Sequence, residues 1–211
     1  MITVIVMAKA CEPGRVKTRL TPPYTPTQAA RIAAASLEDT LAFVRRLPVD
    51  QRILCIDGSA PSAAAFEVWP QVEGGLDERI AAALDGCPGP ALVLGMDTPQ
   101  LRPADVAAPL AAWAAGRTDL PDAWLGPATD GGYWALGLTR PDGDLVRGVR
   151  MSQPDTGAQQ RRRLEQAGLR VAALPQRCDL DDAAALALIR TELPAGSNLA
   201  MLLAEPLPAA S

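Results

Sequence analysis

Residues 2–20 read ITVIVMAKACEPGRVKTRL. Residues 2–7 are apolar and β-branched without alternation, the pattern of a strand buried on both faces of a parallel sheet. Residues 8–24 then turn abruptly to glycine, proline and cations, which reads as a long loop leaving the end of that strand. Downstream the chain alternates strand and helix. A helix is predicted over 26–46, capped by Thr25 or Thr27, with a proline in its first turn and Pro48 beyond its end. Strands are predicted over 52–56, 91–95, 123–126, 133–138 and 169–174. Helices are predicted over 76–86, 103–115 and 156–167, and from Asp181 or Asp182 through residue 190. A short helix near 61–66 and another near 199–203 complete the reading. Alternation of this kind gives an α/β domain with a mainly parallel central sheet. In such a sheet, ligands bind beyond the carboxyl ends of the strands.

The 211 residues suit one domain, predicted as 1–192 with a C-terminal tail over 193–211. The net charge is −4, which argues against a nucleic-acid binder or an anionic-membrane binder. No apolar run approaches the ~20 residues of a membrane span. There is no histidine, so Ser–His–Asp and Cys–His mechanisms and His-ligated metals are excluded. The four cysteines are scattered without a C-x-x-C, and a cytoplasmic protein with reduced thiols is expected. The apolar segment AMLLAEPLPAA near the C-terminus is a candidate partner contact, a homodimer included.

Of 20 cations only two are lysines, Lys9 and Lys17, and both lie in the loop after the first strand. Lys9, Arg15, Lys17 and Arg19 fall within eleven residues, and Gly14 lets the backbone turn among them. Cations with free backbone N–H groups make a cradle for a polyphosphate. A solvated basic loop would have the same composition. The Walker pattern is absent.

Asp97, in GMDTPQL, follows the strand at 91–95. A hard carboxylate there suits Mg²⁺ or Mn²⁺ bridging nucleotide phosphates, though a turn aspartate before Thr-Pro is common. Asp130-Gly131-Gly132-Tyr133 forms a tight turn before a strand, leaving room for an acceptor against the backbone. It also fits an ordinary Asp-Gly turn. Asp179, Asp181 and Asp182 offer a second metal carboxylate or a plain helix cap. Gly74-Gly-Leu-Asp-Glu78-Arg79 either lines a base or ribose pocket, through Glu78, or merely starts a helix.

These segments together resemble the DUF2064 glycosyltransferase-like family: A-K-x-x-x-P-G-x-V-K-T-R-L, then G-x-D-x-P-x-L, then G-P-A-x-D-G-G-Y, then a late D-x-D. That family belongs to the GT-A, or nucleotide-diphospho-sugar transferase, superfamily, which also contains nucleotidyltransferases. The resemblance implies a three-layer αβα, Rossmann-like GT-A fold. It implies nucleotide binding at Lys9, Gly14, Lys17, Thr18 and Arg19, a metal at Asp97 and Asp181, and an acceptor near Asp130, Gly131, Gly132 and Tyr133. Lys17, Asp97 and Asp130 are the expected catalytic residues, and Mg²⁺ or Mn²⁺ the expected cofactor. This chain departs from the family at Cys11-Glu12, at Asp77, and in the last motif, where Asp181-Asp-Ala-Ala-Ala-Leu186 stands for the usual Asp-Thr-Pro-Glu-Asp-Leu.

The function expected is a metal-dependent transferase that moves a nucleotidyl group from an NTP to a small phosphorylated or hydroxyl acceptor, releasing pyrophosphate. The alternative is glycosyl transfer from a nucleotide-sugar. A degenerate, non-catalytic nucleotide-binding protein is the third reading.

Overall fold

The structure, a computed structural model, describes residues 1–60, 63–116 and 120–204. Among these residues seven strands form one sheet: β1 (Thr3–Lys9), β2 (Gln51–Asp57), β3 (Glu67–Pro70), β4 (Ala91–Gly95), β5 (Ala123–Pro127), β6 (Tyr133–Leu138) and β7 (Val171–Ala173). Their spatial order is β3-β2-β1-β4-β6-β5-β7. All neighbours run parallel except β6, which is antiparallel to both β4 and β5. The sheet is therefore mainly parallel, as the alternation predicts.

Among the described residues six helices accompany it: α1 (Pro26–Arg45), α2 (Leu76–Asp85), α3 (Ala107–Ala114), α4 (Thr156–Gln166), α5 (Ala183–Arg190) and α6 (Asn198–Ala204). The continuous apolar strands split by residue parity into two cores. Val4, Val6, Leu92 and Leu94 pack with Ala33, Leu37 and Leu41 of α1 and Leu110 of α3. Ile5, Met7 and Val93 pack with Ile80 and Leu84 of α2 and Leu164 of α4. Each such leucine or isoleucine removed from water contributes about 1.5–3 kcal/mol. The outcome is a three-layer αβα domain.

The second face of α1 is buried too. Ala29 and Ile32 meet Leu186 and Ile189 of α5 and Leu199 of α6. Asp39 is buried within α1 and accepts from Asn198 N, Asn198 Nδ2 and Leu199 N, at 2.7, 2.9 and 2.9 Å. A carboxylate in one helix thereby satisfies the free N–H groups that begin another. Residues 198–204, expected as part of a tail, are thus docked on the domain. The rest of the apolar C-terminal segment lies outside the described residues.

Two readings of local structure need correction. The residues described between 63 and 66 form no helix; residues 61 and 62 lie outside the described set. The edge strand β3 follows instead, its short EVWP run carrying too little apolar alternation to announce itself. The helix expected over 103–115 divides into a 3-10 turn at Pro103–Asp105 and α3. Asp105 turns back to accept from Arg102 N and pairs with Arg177, fixing the turn before α3 begins.

Candidate active site

The carboxyl ends of β1, β2, β4 and β5 share one edge of the sheet with the start of the reversed strand β6. An open cleft of about 830 Å³ lies along that edge. It is lined by residues from nearly every motif the sequence marks, among them Lys9, Arg19, Asp97, Asp130, Asp179 and Asp181.

The loop carrying Asp97 is held from two sides. Ser36 Oγ of α1 donates to Met96 O at 2.9 Å, and Leu180 N donates to Asp97 O at 2.8 Å. Gln100 Nε2 reaches Cys178 O at 2.6 Å. The segment 178–181 is therefore pinned onto the loop after β4, and that pinning sets Asp181 opposite Asp97. Asp182 faces the other way, accepting from Ala185 N at 2.8 Å as the cap of α5. The acidic run thus divides its labour: Asp182 caps the helix, while Asp179 and Asp181 line the cleft.

Lys17 lies between the carboxylates. Its Nζ is 2.8 Å from Asp97 Oδ1 and 3.3 Å from Asp181 Oδ1, and its side chain is only 7% exposed. Arg19 Nη1 approaches the other oxygen of Asp181 at 3.3 Å. Burial pulls the Lys17 ammonium down, but Asp97 and Asp181 outweigh it and hold it above the ordinary lysine value. Lys17 has φ 49°, in the left-handed region, a backbone conformation that costs energy in a residue other than glycine. It begins the 3-10 turn at Thr18–Leu20, from which its side chain reaches inward.

Asp130, Asp179 and Asp181 each bring one oxygen to within 4.8 Å of the others. Burial, reinforced by the charges of Asp130, Asp181 and Asp97, pushes the Asp179 carboxyl up to about 6. Four carboxylates therefore face two nearby cations, Lys17 and Arg19. Hard oxygen donors in excess of their counter-charge suit a divalent ion. Lys17 already places its ammonium between Asp97 and Asp181, two of the residues that would hold such an ion. These residues fit Mg²⁺ or Mn²⁺.

The glycine turn is required by close packing. Gly131 has φ +92°, and a Cβ there would meet Pro154 O at 1.8 Å. Asp130 Oδ1 accepts from Gly132 N at 2.8 Å, shaping the same turn. Gly157 N of α4 donates to Gly131 O at 2.8 Å, so the turn and the segment 151–156 build one wall of the cleft. Tyr133 lines that wall with its hydroxyl 3.5 Å from Gln160 Oε1, and burial raises its pKa.

Not every expected residue reaches the cleft. Gly14 and Thr18 are exposed in the basic loop and do not line it. Arg15 also points away, paired with Glu12 at 2.7 Å. Glu78 is held outside by Arg147 at 3.3 Å; its neighbours Leu76 and Arg79 line the cleft in its place. Helical spacing explains this, because Leu76, Arg79 and Ile80 share a face that Glu78 does not.

At the opposite end of the cleft the sequence marks only the 74–79 segment, through Glu78; Leu76 and Arg79 of that segment are the residues that line it, and the partners of Arg79 carry no mark. There Arg79 Nη1 donates to Asp57 Oδ2 at 2.8 Å and to Gln71 Oε1 at 3.0 Å, and Arg79 Nε donates to Gly74 O at 3.0 Å. Gln71 Nε2 in turn bonds Ala8 O and Cys55 O at 2.8 and 3.0 Å. Besides that segment, only Asp57, the last residue of β2, carries a signal in the sequence.

Residues 33–153, more than half of the chain, match the model of a family described as "Uncharacterized protein conserved in bacteria (DUF2064)". The chain belongs to this family. Among solved structures, the DUF2064 chain is similar to a "putative nucleotide-diphospho-sugar transferase" from Desulfovibrio desulfuricans G20. Identity is 25%, coverage is 96% of this chain and 94% of that one, and the TM-score is 0.83. It shares its fold with a CMP:2-keto-3-deoxy-manno-octonic acid synthetase solved with CTP, at 14% identity. That match covers 91% of this chain and 99% of that one, with a TM-score of 0.59. The inositol-1-phosphate CTP transferase of T. maritima shares the fold at 10% identity, covering 98% of both chains with a TM-score of 0.55. No curated protein matches the chain. The fold is that of the nucleotide-diphospho-sugar transferases, as the motifs imply. Among the described residues, no helix is long and apolar enough to cross a membrane.

Proposed function

We propose that this chain is a metal-dependent transferase that takes a nucleoside triphosphate and moves its nucleotidyl group to a small phosphorylated or hydroxyl acceptor, releasing pyrophosphate. One observation carries the reading: Lys17, buried behind the cleft wall, lies between Asp97 and Asp181 at the carboxyl edge of a parallel sheet, and Asp97, Asp181, Arg19 and Lys9 line the cleft itself. Cations beside surplus carboxylates suit a polyphosphate that arrives with a divalent ion. The similar structures named as nucleotide-sugar and nucleotidyl transferases support the transferase class.

Asp97 and Asp181 would hold Mg²⁺ or Mn²⁺. Bound there, the ion supplies Lewis-acid neutralisation of phosphate oxygens. The chain's own groups do the rest. Arg19 and Lys9 orient the phosphates from the rim, and Lys17 adds charge where it builds up during transfer. The Gly131-Gly132 turn leaves space for the acceptor beside the backbone. Asp130 accepts a hydrogen bond from an acceptor hydroxyl. An acceptor that is already a phosphate anion needs no strong base, so a site without histidine suffices. We place this activity in the cytoplasm.

A second reading, glycosyl transfer from a nucleotide-sugar, is favoured by one feature: Asp130 and Asp179 stand together on the acceptor side, where a general base would act.

Melting temperature measured with each NTP and each nucleotide-sugar, with and without Mn²⁺, separates the two. A ligand at about 100 times its Kd adds roughly 2.7 kcal/mol. Stabilisation by one NTP with Mn²⁺, and pyrophosphate release with an acceptor, supports nucleotidyl transfer. Stabilisation by a nucleotide-sugar and its diphosphate supports glycosyl transfer. No shift with any of them overturns both.

A further inference from the structure

Lys17 satisfies the carboxylates that the proposed function assigns to the metal. An ammonium 2.8 Å from Asp97 and 3.3 Å from Asp181, 93% shielded from water, competes directly with any ion seeking the same oxygens. Both carboxylates cannot keep this contact and also ligate a divalent ion bridging the pair, because two cations would then share the same few oxygens at close range. The loop has a compact, single-point cation here in a chain that otherwise uses arginine for 18 of its 20 cations. A guanidinium would lock both carboxylates in a planar fork, whereas an ammonium on a flexible stem can leave them one at a time.

We infer that Lys17 is an exchangeable counter-ion: it guards Asp97 and Asp181 in the free protein and passes to a phosphate oxygen when a divalent ion and a polyphosphate bind together. The inference rests on the metal reading given above and adds a binding order to it. Free Mn²⁺ must break the Lys17 contacts with nothing to receive the ammonium, so it binds weakly. Polyphosphate supplies the receiving oxygen, and the two ligands then help each other. The apparent affinity for the metal is the intrinsic affinity multiplied by the fraction of protein in which Lys17 has left its partners. In the free protein that fraction is small.

The test is a Mn²⁺ titration of the whole chain, followed by the EPR signal of free Mn²⁺, on wild type, Lys17→Met and Asp97→Asn. Inorganic tripolyphosphate serves as a base-independent phosphate, with melting temperature as the second readout. The expected result runs against the usual effect of removing an active-site lysine. Lys17→Met should bind Mn²⁺ alone about tenfold more tightly than wild type. The wild type should gain far more stability from Mn²⁺ and tripolyphosphate together than from the sum of each alone, and Lys17→Met should lose that excess. Lys17→Gln, which keeps a polar side chain, should behave like Lys17→Met; near-UV circular dichroism of both variants establishes that they fold. If Lys17→Met binds Mn²⁺ no better than wild type while Asp97→Asn abolishes binding, the exchange is overturned and the metal site stands. If neither wild type nor Lys17→Met retains Mn²⁺, with or without tripolyphosphate, the metal reading fails and the exchange with it.

Discussion

Two cation–carboxylate clusters line the same cleft, and they are built to opposite balances. At one end Arg79 meets Asp57, the Gln71 amide and Gly74 O, while Gln71 completes its own bonding on Ala8 O and Cys55 O. One cation meets one carboxylate, and the Arg79 guanidinium holds the Asp57 carboxyl below its usual range. At the other end Lys17 and Arg19 face Asp97, Asp130, Asp179 and Asp181. There Asp179 is pushed up to about 6, by burial and by its acidic neighbours. The same side-chain types give a clasp in one place and a charge deficit in the other. The clasp joins the ends of β1 and β2 to the start of α2. The deficit destabilises the free protein slightly and calls for a cation, a combination that marks functional sites more often than scaffolding.

The contrast makes removal of a charge act in opposite directions at the two ends. Asp97→Asn should lower turnover by about three orders of magnitude, since it removes a proposed metal ligand from the reacting phosphate. In EDTA its melting temperature should change little, because the repulsion it relieves among the carboxylates offsets the Lys17 contact it weakens. A steady-state assay and a thermal melt on the same preparation decide it. A melting temperature several degrees lower would show the acidic end to be scaffold as well, and the contrast would collapse.

Arg79→Met should do the reverse. It strips partners from Asp57, Gln71 and Gly74, and should cost about 1–3 kcal/mol in urea unfolding. The lower half of that range is expected, because Asp57 is 43% exposed and water replaces part of what is lost. For a chain of this size, that is about 2–4 °C per kcal/mol. A neutral result would mean the clasp is open to solvent, and that Arg79 is retained for a ligand rather than for the fold.

The two ends also differed in how far the sequence revealed them. Asp97 sits two residues past a strand of unmistakable composition, and Lys9 and Lys17 stand out because the chain has no other lysine. Those local signals were sufficient to bring Lys9, Arg19, Asp97, Asp130, Tyr133 and Asp181 to one cleft. The clasp had a weaker signal: the 74–79 segment was marked, but through Glu78 rather than Arg79, and nothing pointed to its partners. Gln71 lies beyond an edge strand that the pattern missed, and its partners are backbone carbonyls 16 and 63 residues away. Arg79 and Glu78 illustrate a finer limit. Both begin the same helix, yet only the rotation of α2 about its axis decides which faces the cleft, and Arg147 then fixes Glu78 outside it. Asp39 is the third case. Nothing local distinguishes a carboxylate that caps its own helix from one that caps another 159 residues later. Sequence patterns disclosed the strands and the charges that leave them. They did not disclose pairings that depend on the third dimension.

The smallest expected effect probes the charge deficit itself. Asp179 is pushed up to about 6 from an ordinary value of 3.8. A carboxyl raised on folding is held more firmly as the neutral acid, so the folded state binds more protons than the unfolded one between those two values. By linkage, stability falls as pH rises from about 4 to about 6, and the full penalty is present above that window. Asp179→Asn is neutral throughout and escapes it. In EDTA, the variant should therefore melt with wild type near pH 4 and above it near pH 7. The gap should reach about 1 kcal/mol, or 2–4 °C, once solvent screening is allowed for. Saturating Mn²⁺ with tripolyphosphate should close the gap at pH 7, because the bound cation replaces the repulsion that the substitution relieves. A gap independent of pH would trace the effect to packing rather than charge. A gap that Mn²⁺ and tripolyphosphate left unchanged would separate Asp179 from the metal-holding carboxylates and leave Asp97 and Asp181 as the pair that Lys17 guards.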